Sequence, residues 1–471
     1  MSHSPNSKGS LRNSLDSSRP PWAILTGLML SLFTAALDAT AMSTALPAIA
    51  ADFHSINQYS WPLTAYLVSS TVMILLCGGI ALKLGPKQTF VSGIALFTLS
   101  SILCATAPTL EFLSAWRFFE GLGGGLLEAG VFITVADLFE PRERGKWMGL
   151  VTSMYGLASI VGPILGGVLT HTVGWRWIFL INLPIGLIAL ITVILFLPQY
   201  AVPVASLHTF DSYGALFATF GIIPLTLAFS LVPEVFQWSS WQFIVLILGA
   251  GGAISVLVFL ETKHPNPLVP VKILRTPQVS SGVSLGFFSQ YMMYAAIIFI
   301  PLYMNKVLGT DSMLSGLMLV PMVLALILGS AVAGMAFSKT GRLRKIFMLS
   351  CIVIATALIY LSFLKTDWPF LLFVLATITL GFGIGMGMPL SNLAVQTGSK
   401  ASEVGRATSF NLFFRALGGT VSAASASSIL AVVGVEHSMP LWTHGLGLTV
   451  IMLILCVSMP RYIGHEATEK D

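Results

Sequence analysis

Charge is what this 471-residue sequence lacks most: only 9% of its residues are Asp, Glu, Lys or Arg, while 55% are hydrophobic. Ordinary soluble domains carry about a quarter charged residues. A chain this poor in charge cannot clothe a water-facing surface, which excludes a soluble globular protein. Cysteine is scarce as well. Cys77, Cys104, Cys351 and Cys456 are the only four. All stand inside apolar runs, and no pair has the spacing of a metal site or a disulfide framework. They read as small packing residues, and no metal is expected. Nucleotide-binding motifs are also missing. Gly121, Gly123, Gly124 and Gly125 crowd together, but no strand precedes them and no phosphate-binding lysine follows, so they do not form a phosphate cradle. Enzyme chemistry and a bound cofactor are therefore not expected, and any work the chain does must draw on an ion gradient.

What the sequence has instead is long apolar runs, such as FIVLILGAGGAISVLVFL from Phe243 to Leu260. Barrel strands would alternate in character over roughly ten residues. Unbroken runs of about twenty choose helices, which satisfy their own backbone in lipid. The pattern predicts an all-α polytopic membrane protein with fourteen transmembrane helices. The first six lie near 22–46, 61–82, 88–107, 111–137, 146–170 and 175–198. Two follow at 211–232 and 240–260. The last six are at 278–304, 314–338, 344–364, 368–391, 404–433 and 439–459. Residues 1–21 are polar and serine-rich, and read as a disordered tail. No small-residue cleavage site follows them, so Trp22 onward is taken as a retained first span. Residues 461–471 form a second tail.

Basic residues test that count. With a cytoplasmic N-terminus, nineteen of the 24 Lys and Arg residues fall on the inside. Only Arg176, Lys306 and Lys365 fall outside, and Arg117 and Arg415 lie at membrane depth. A missed span would destroy this bias, because every later loop would change sides. Both termini are thus expected in the cytoplasm of a cell-membrane protein. The net charge of +5 is spread over many short loops, so nucleic acid is not an expected partner.

An internal repeat divides the chain. GGIALKLGPKQTF follows span two and GMAFSKTGRLRKIF follows span ten. Gly78 precedes Gly85 by the same seven residues that separate Gly334 from Gly341, with basic residues beyond. Repeated halves are a transporter pattern. The expected arrangement is two six-helix bundles, 22–200 and 276–460, flanking two extra helices and their connectors at 201–275.

Several stretches then resemble one family. LDATAMSTALPAI in span one is similar to LDxTIVNxALPxI, and RFFEGLGGG in span four to RxxQGxGgG. GPILGG in span five resembles an antiporter motif, and GWRWIFLINLPIG is close to WRWxFxINxPxG. FDSYG, PLYMNKVLG and FFRALGGT add weaker likenesses. Together, from about residue 22 to 459, the chain resembles the fourteen-span drug/proton antiporters of the major facilitator superfamily, the EmrB/QacA type. The resemblance implies a major facilitator fold and proton-coupled export of hydrophobic, cationic compounds. It implies small-molecule substrates, protons and membrane lipid as partners, and a monomer. Two departures stand out. The loop GxLaDRxGRkr becomes GGIALKLGPKQ, keeping Gly78, Lys83, Gly85 and Lys87 but placing Leu82 at the acid that latches the family's two halves. Glu120 replaces a usual Gln.

The candidate site residues are ionisable groups at membrane depth, which are functional candidates by default because of their cost. Asp38 in span one and Arg117 in span four lie at comparable depth on antiparallel helices, and a pair between them would offset much of their desolvation. Glu120, three residues beyond Arg117, can neutralise it along the helix. Glu128 lies on the same helical face but roughly 16 Å from Arg117 along the axis. With that cation out of reach, Glu128 is expected to take up a proton from water. Asp38 and Glu128 are thus expected to be the free proton carriers, with structural carboxylates as the alternative. Arg415 is expected to be satisfied by backbone. Gly156, Gly162, Pro163, Gly166 and Gly167 in span five favour close packing and a bend, since proline removes one helical hydrogen bond. Two rival functions stay open: transport of a specific metabolite on the same scaffold, and a transport-inactive binding protein.

Overall fold

The structure, a computed structural model, describes residues 21–54, 60–198, 211–232, 235, 237–264, 267–309, 317–363, 370–433 and 439–457. Both predicted tails lie outside this range, save that Pro21 already opens the first helix. Fifteen α-helices follow in order: α1 Pro21–Asp52, α2 Trp61–Leu84, α3 Pro86–Ala105, α4 Leu110–Leu138, α5 Pro141–Thr172, α6 Arg176–Leu180, α7 Asn182–Phe196, α8 Ser212–Ser230, α9 Trp241–Lys263, α10 Pro277–Lys306, α11 Leu319–Thr340, α12 Leu343–Ser362, α13 Phe370–Gly398, α14 Val404–Val433 and α15 Met439–Val457. Their boundaries have local causes. Proline sits in the first turn of α2, α3, α5 and α10, where its missing N–H costs nothing. Asp211 and Ser240 cap α8 and α9 by accepting from Gly214 N and Phe243 N, satisfying donors that the first turn leaves open.

Twelve spans, with α6 and α7 taken together, are long and apolar enough to cross a membrane among the described residues. The two expected beyond these correspond to α14 and α15. The first carries Arg406, Asn411 and Arg415 ahead of a serine-rich stretch, and the second counts as apolar only over Gly445–Leu455. Where the sequence suggests one continuous sixth span, the helix breaks at Ile181, with α6 before it and α7 after. Pro184 belongs to the first turn of α7, the position its ring tolerates.

Helices α1–α7 pack among themselves, and α10–α15 do likewise. The two groups meet along two seams, α2 against α14 and α5 against α11. The repeated glycines mark those seams. A Cβ on Gly78 would lie 2.7 Å from Cα of Arg406, and one on Gly145 would lie 2.7 Å from the carbonyl of its partner Gly334. The other member of each repeat closes a helix: Gly85 has φ +84° and Gly341 φ +64°, a region glycine enters without steric cost. The paired helices α8 and α9 rest against α2 and α14 through α8. The outer helix α9 exposes Val245, Leu248 and Phe259, an apolar face suited to lipid.

All these close contacts lie at one end of the seams. There Lys146 N donates to Ser338 Oγ at 2.9 Å, Ser330 Oγ to the Gly149 carbonyl at 2.9 Å, and Gln396 Nε2 to the Phe132 carbonyl at 3.3 Å. Arg406 Nη1 adds a bond to the Pro267 carbonyl in the connector after α9.

Candidate functional site

Asp38, Arg117 and Glu120 are brought together in one cluster, and none is more than 1% exposed. Arg117 Nη1 donates to Asp38 Oδ2 and, at 2.8 Å, to Glu120 Oε2. The i,i+3 spacing on α4 sets the second contact, and the antiparallel crossing of α1 and α4 sets the first. Side chains absent from the sequence-based site complete the shell. Ser101 Oγ donates to Glu120 Oε1, and Cys104 Sγ to Glu120 Oε2 at 3.4 Å. Asn182 Nδ2 reaches Asp38 Oδ1 at 3.2 Å and Ser101 Oγ at 3.0 Å. Asn182 is the first residue of α7, so the helix break is what delivers this amide to the cluster. Its signal in the sequence is one amide in the apolar run IFLINLPIG, two residues before a proline.

The guanidinium lies between two aromatic rings. Its Cζ stands 4.4 Å from the centroid of Tyr66 and 5.6 Å from that of Phe179, within cation–π range. Tyr66 donates from Oη to the Ala35 carbonyl at 3.4 Å. Its other side borders a central cavity of 430 Å³ that Asp38, Arg117 and Glu120 do not line. Tyr66 therefore touches both the buried cluster and the cavity wall.

The cavity has a largely apolar, small-residue wall that includes Ala35, Ala36, Ala423 and Ala424, interrupted by Tyr155, Gln290 and Tyr294. Glu128 projects into it, and here the structure corrects the sequence-based reading. Glu128 does not lack a cation. Arg415 Nη2 of α14 donates to its Oε1 at 3.0 Å. The expectation that Arg415 is satisfied by backbone fails for the same reason. The two are 287 positions apart, too distant for helical periodicity to join them. Asp38 is likewise not a free carboxylate, because Arg117 and Asn182 both hold it.

In α5, Gly162 and Gly166 lie against α1, facing Thr40 and Thr44, while Gly156 faces Ile327 of α11. Thr40 Oγ1 also donates to the Ala158 carbonyl at 3.1 Å. A Cβ on Gly167 would meet nothing within 4 Å beyond its own helix backbone, and α5 stays helical through Pro163 from Pro141 to Thr172. In the loop motif, Lys87 Nζ caps the end of α7 by donating to the Ile194 carbonyl at 2.7 Å. Lys83 is exposed at the end of α2, beside Leu82 at 43% exposure. Among the described residues, no group of His, Cys, Asp or Glu is arranged to hold a metal.

A cavity between two helical groups, seamed by repeated glycines and flanked by a buried ion-pair cluster, also has its counterpart in known sequences. The profile of the Major Facilitator Superfamily matches residues 28–423. The chain belongs to the major facilitator superfamily. This major facilitator is 33% identical over 399 residues to the multidrug transporter protein MdtP of Bacillus subtilis, covering 84% of this chain and 73% of MdtP. It is 31% identical over 415 residues to the rubrofusarin-specific efflux pump aurT of Gibberella zeae, covering 86% and 76%. It spans 58% of the uncharacterized MFS-type transporter Rv1877 of Mycobacterium tuberculosis, at 30% identity over 402 residues. The solved structure of the proton:xylose symporter XylE superposes with a TM-score of 0.66 at 15% identity, covering 93% of this chain and 95% of XylE, a likeness of fold. This major facilitator is a multi-pass membrane transporter and not an enzyme.

Proposed function

We propose that this major facilitator is a proton-coupled antiporter that exports hydrophobic small molecules from the cell. One observation carries the reading: the buried Asp38–Arg117–Glu120 cluster stands against Tyr66, a residue that also lines a substrate-sized cavity. Two carboxylates around one guanidinium carry one negative charge in excess, which a single proton neutralises. Adding or removing that proton changes how tightly α1, α4 and α7 are tied together. A tie that depends on protonation biases the equilibrium between two arrangements of the halves, as alternating access requires. The name of aurT, an efflux pump, supports the direction of transport, and the multidrug name of MdtP supports small-molecule cargo.

Fourteen spans with both termini in the cytoplasm complete the proposal, in two six-helix bundles bridged by α8 and α9, as in the EmrB/QacA type. The cavity reaches Leu46, Ser60 and Val232, at the ends of α1, α2 and α8 that the positive-inside rule assigns to the outside. The tight glycine contacts lie at the opposite end. The state described is then outward-facing, with the cytoplasmic end closed. Leu82 removes the family's acidic latch there, while Arg406 ties α14 to the connector at the Pro267 carbonyl.

The expectation of cationic cargo came from the family resemblance, and the pairing of Glu128 with Arg415 leaves no unpaired carboxylate among the described cavity residues to support it. Dye efflux from cells deprived of their own pumps tests the central reading. Expression of the chain should lower retained dye, and a protonophore should abolish the difference. Efflux that persists unchanged with the protonophore would exclude proton coupling.

A further inference from the structure

Among the described residues that line the central cavity, Glu128 and Arg415 are the only charged ones. Their pairing makes its net charge zero. The two differ in surroundings. The Arg415 side chain is 4% exposed and lies near the rings of Phe132 and Tyr155, at 5.5 Å and 5.9 Å, whereas Glu128 is 22% exposed. Two further polar atoms at this place have no partner within the protein. Arg415 Nη1 is a buried donor without an acceptor, and Gln290 Oε1, on a residue 4% exposed, is a buried acceptor without a donor. Buried polar atoms are costly to leave unmatched. Both atoms belong to side chains of the cavity wall, so this wall holds one unmatched donor and one unmatched acceptor.

A lipophilic cation brings no acceptor for Arg415. It competes for Glu128 and, by taking it, leaves the Arg415 charge stranded in an apolar setting, the costly way to break a buried pair. A simple anion takes Arg415 and strands Glu128 instead. A solute bearing both an acidic and a basic group engages both. Its acidic group meets the Arg415 guanidinium, and its basic group meets Glu128. No charge is then left alone.

We infer that the cavity selects amphoteric solutes of no net charge, zwitterions on an apolar body, over lipophilic cations and over anions, with Glu128 and Arg415 as the pair that sets this preference. The inference rests on the reading of this cavity as the substrate site. It also gives transport an electrical signature. Exchanging one proton for a solute of zero net charge moves charge across the membrane, so the membrane potential assists export.

Equilibrium binding to the purified full-length protein, in detergent and without any gradient, tests it on matched xanthene dyes: a zwitterionic carboxyrhodamine, its cationic methyl ester, and anionic fluorescein. The zwitterion should bind at least about tenfold more tightly than either of the others. Arg415→Gln should reverse the order in favour of the cation, and Glu128→Gln in favour of the anion. The exchanged pair Glu128→Arg with Arg415→Glu should restore preference for the zwitterion, which separates charge selection from misfolding. Equal or tighter binding of the cation by the unaltered protein would overturn the inference, as would an unchanged order in folded single variants. Failure of the cavity reading is distinct: Ala423→Trp, which fills the cavity, would then leave binding of all three dyes unaltered. Because no gradient is present, failure of proton coupling would not disturb these results.

Discussion

Replacing Arg117 by methionine removes a guanidinium that is fully buried and bonded to two carboxylates. Methionine fills much of the same volume, so the main loss is electrostatic. Asp38 retains the Asn182 amide, and Glu120 retains Ser101 and Cys104, but neither keeps a countercharge. Removing one partner of a buried ion pair costs about 3–5 kcal/mol. The lost stacking on Tyr66 and Phe179 adds about 1 kcal/mol. Against a net stability of about 5–15 kcal/mol, that is enough to lower yield and thermal stability sharply in detergent. The triple variant Arg117→Met, Asp38→Asn, Glu120→Gln leaves no charge to strand. It should recover most of the lost stability, because a neutral isosteric replacement of a buried ionic group is often nearly neutral in stability. It should still fail to transport. Thermal unfolding of the wild type, single and triple variants in one detergent is the assay. A single variant as stable as wild type, or a triple variant no better than the single, would refute the buried-cluster account.

Tyr66→Phe loses only a long hydrogen bond to Ala35 and should stay within about 1 kcal/mol of wild type, whereas Tyr66→Ala opens the cluster to the cavity and should raise proton leak several-fold in liposomes under a pH gradient. Asn182→Leu leaves Asp38 Oδ1 without its amide donor and should cost about 1–3 kcal/mol in thermal unfolding, with no loss if the helix break serves packing alone. Cysteines replacing Lys146 and Ser338, whose residues are hydrogen-bonded across the seam at 2.9 Å, should cross-link, stop transport, and release it on reduction. Transport by the fully cross-linked protein would show that this end never opens. A cysteine at Lys306 should react with an impermeant thiol reagent from outside, and one at Lys272 only after permeabilisation; the reverse would invert the topology.

How far the sequence could be read depended on the range of each interaction. Apolar runs reveal spans because lipid imposes their length. The Asp38–Arg117 pair was legible because a buried arginine needs a partner and span one offers an acid at matching depth. Glu120 followed from a spacing of three along one helix. The repeat Gly78–Gly85 and Gly334–Gly341 was legible as a sign of two halves, but that Gly78 and Gly334 sit in the seams and Gly85 and Gly341 end helices with positive φ emerges only from packing and backbone geometry. Glu128 and Arg415 were illegible as a pair, because each looks unpartnered along its own helix and only the packing of α14 against α4 joins them. Asn182 escaped notice because its neighbours are apolar and its importance arises from a break that composition hides. Tyr66 carries no signal at all in sequence, since an aromatic residue in a span is most often ordinary packing.

Substrate-driven proton movement in sealed proteoliposomes holding a pH-sensitive dye tests proton-coupled antiport most directly. With no initial pH gradient, an inward substrate gradient should drive protons out and raise the luminal pH. Asp38→Asn, which spares the Arg117–Glu120 contact, should abolish that rise. Transport of substrate by the wild type with no change in luminal pH, or an equal rise with Asp38→Asn, would contradict it.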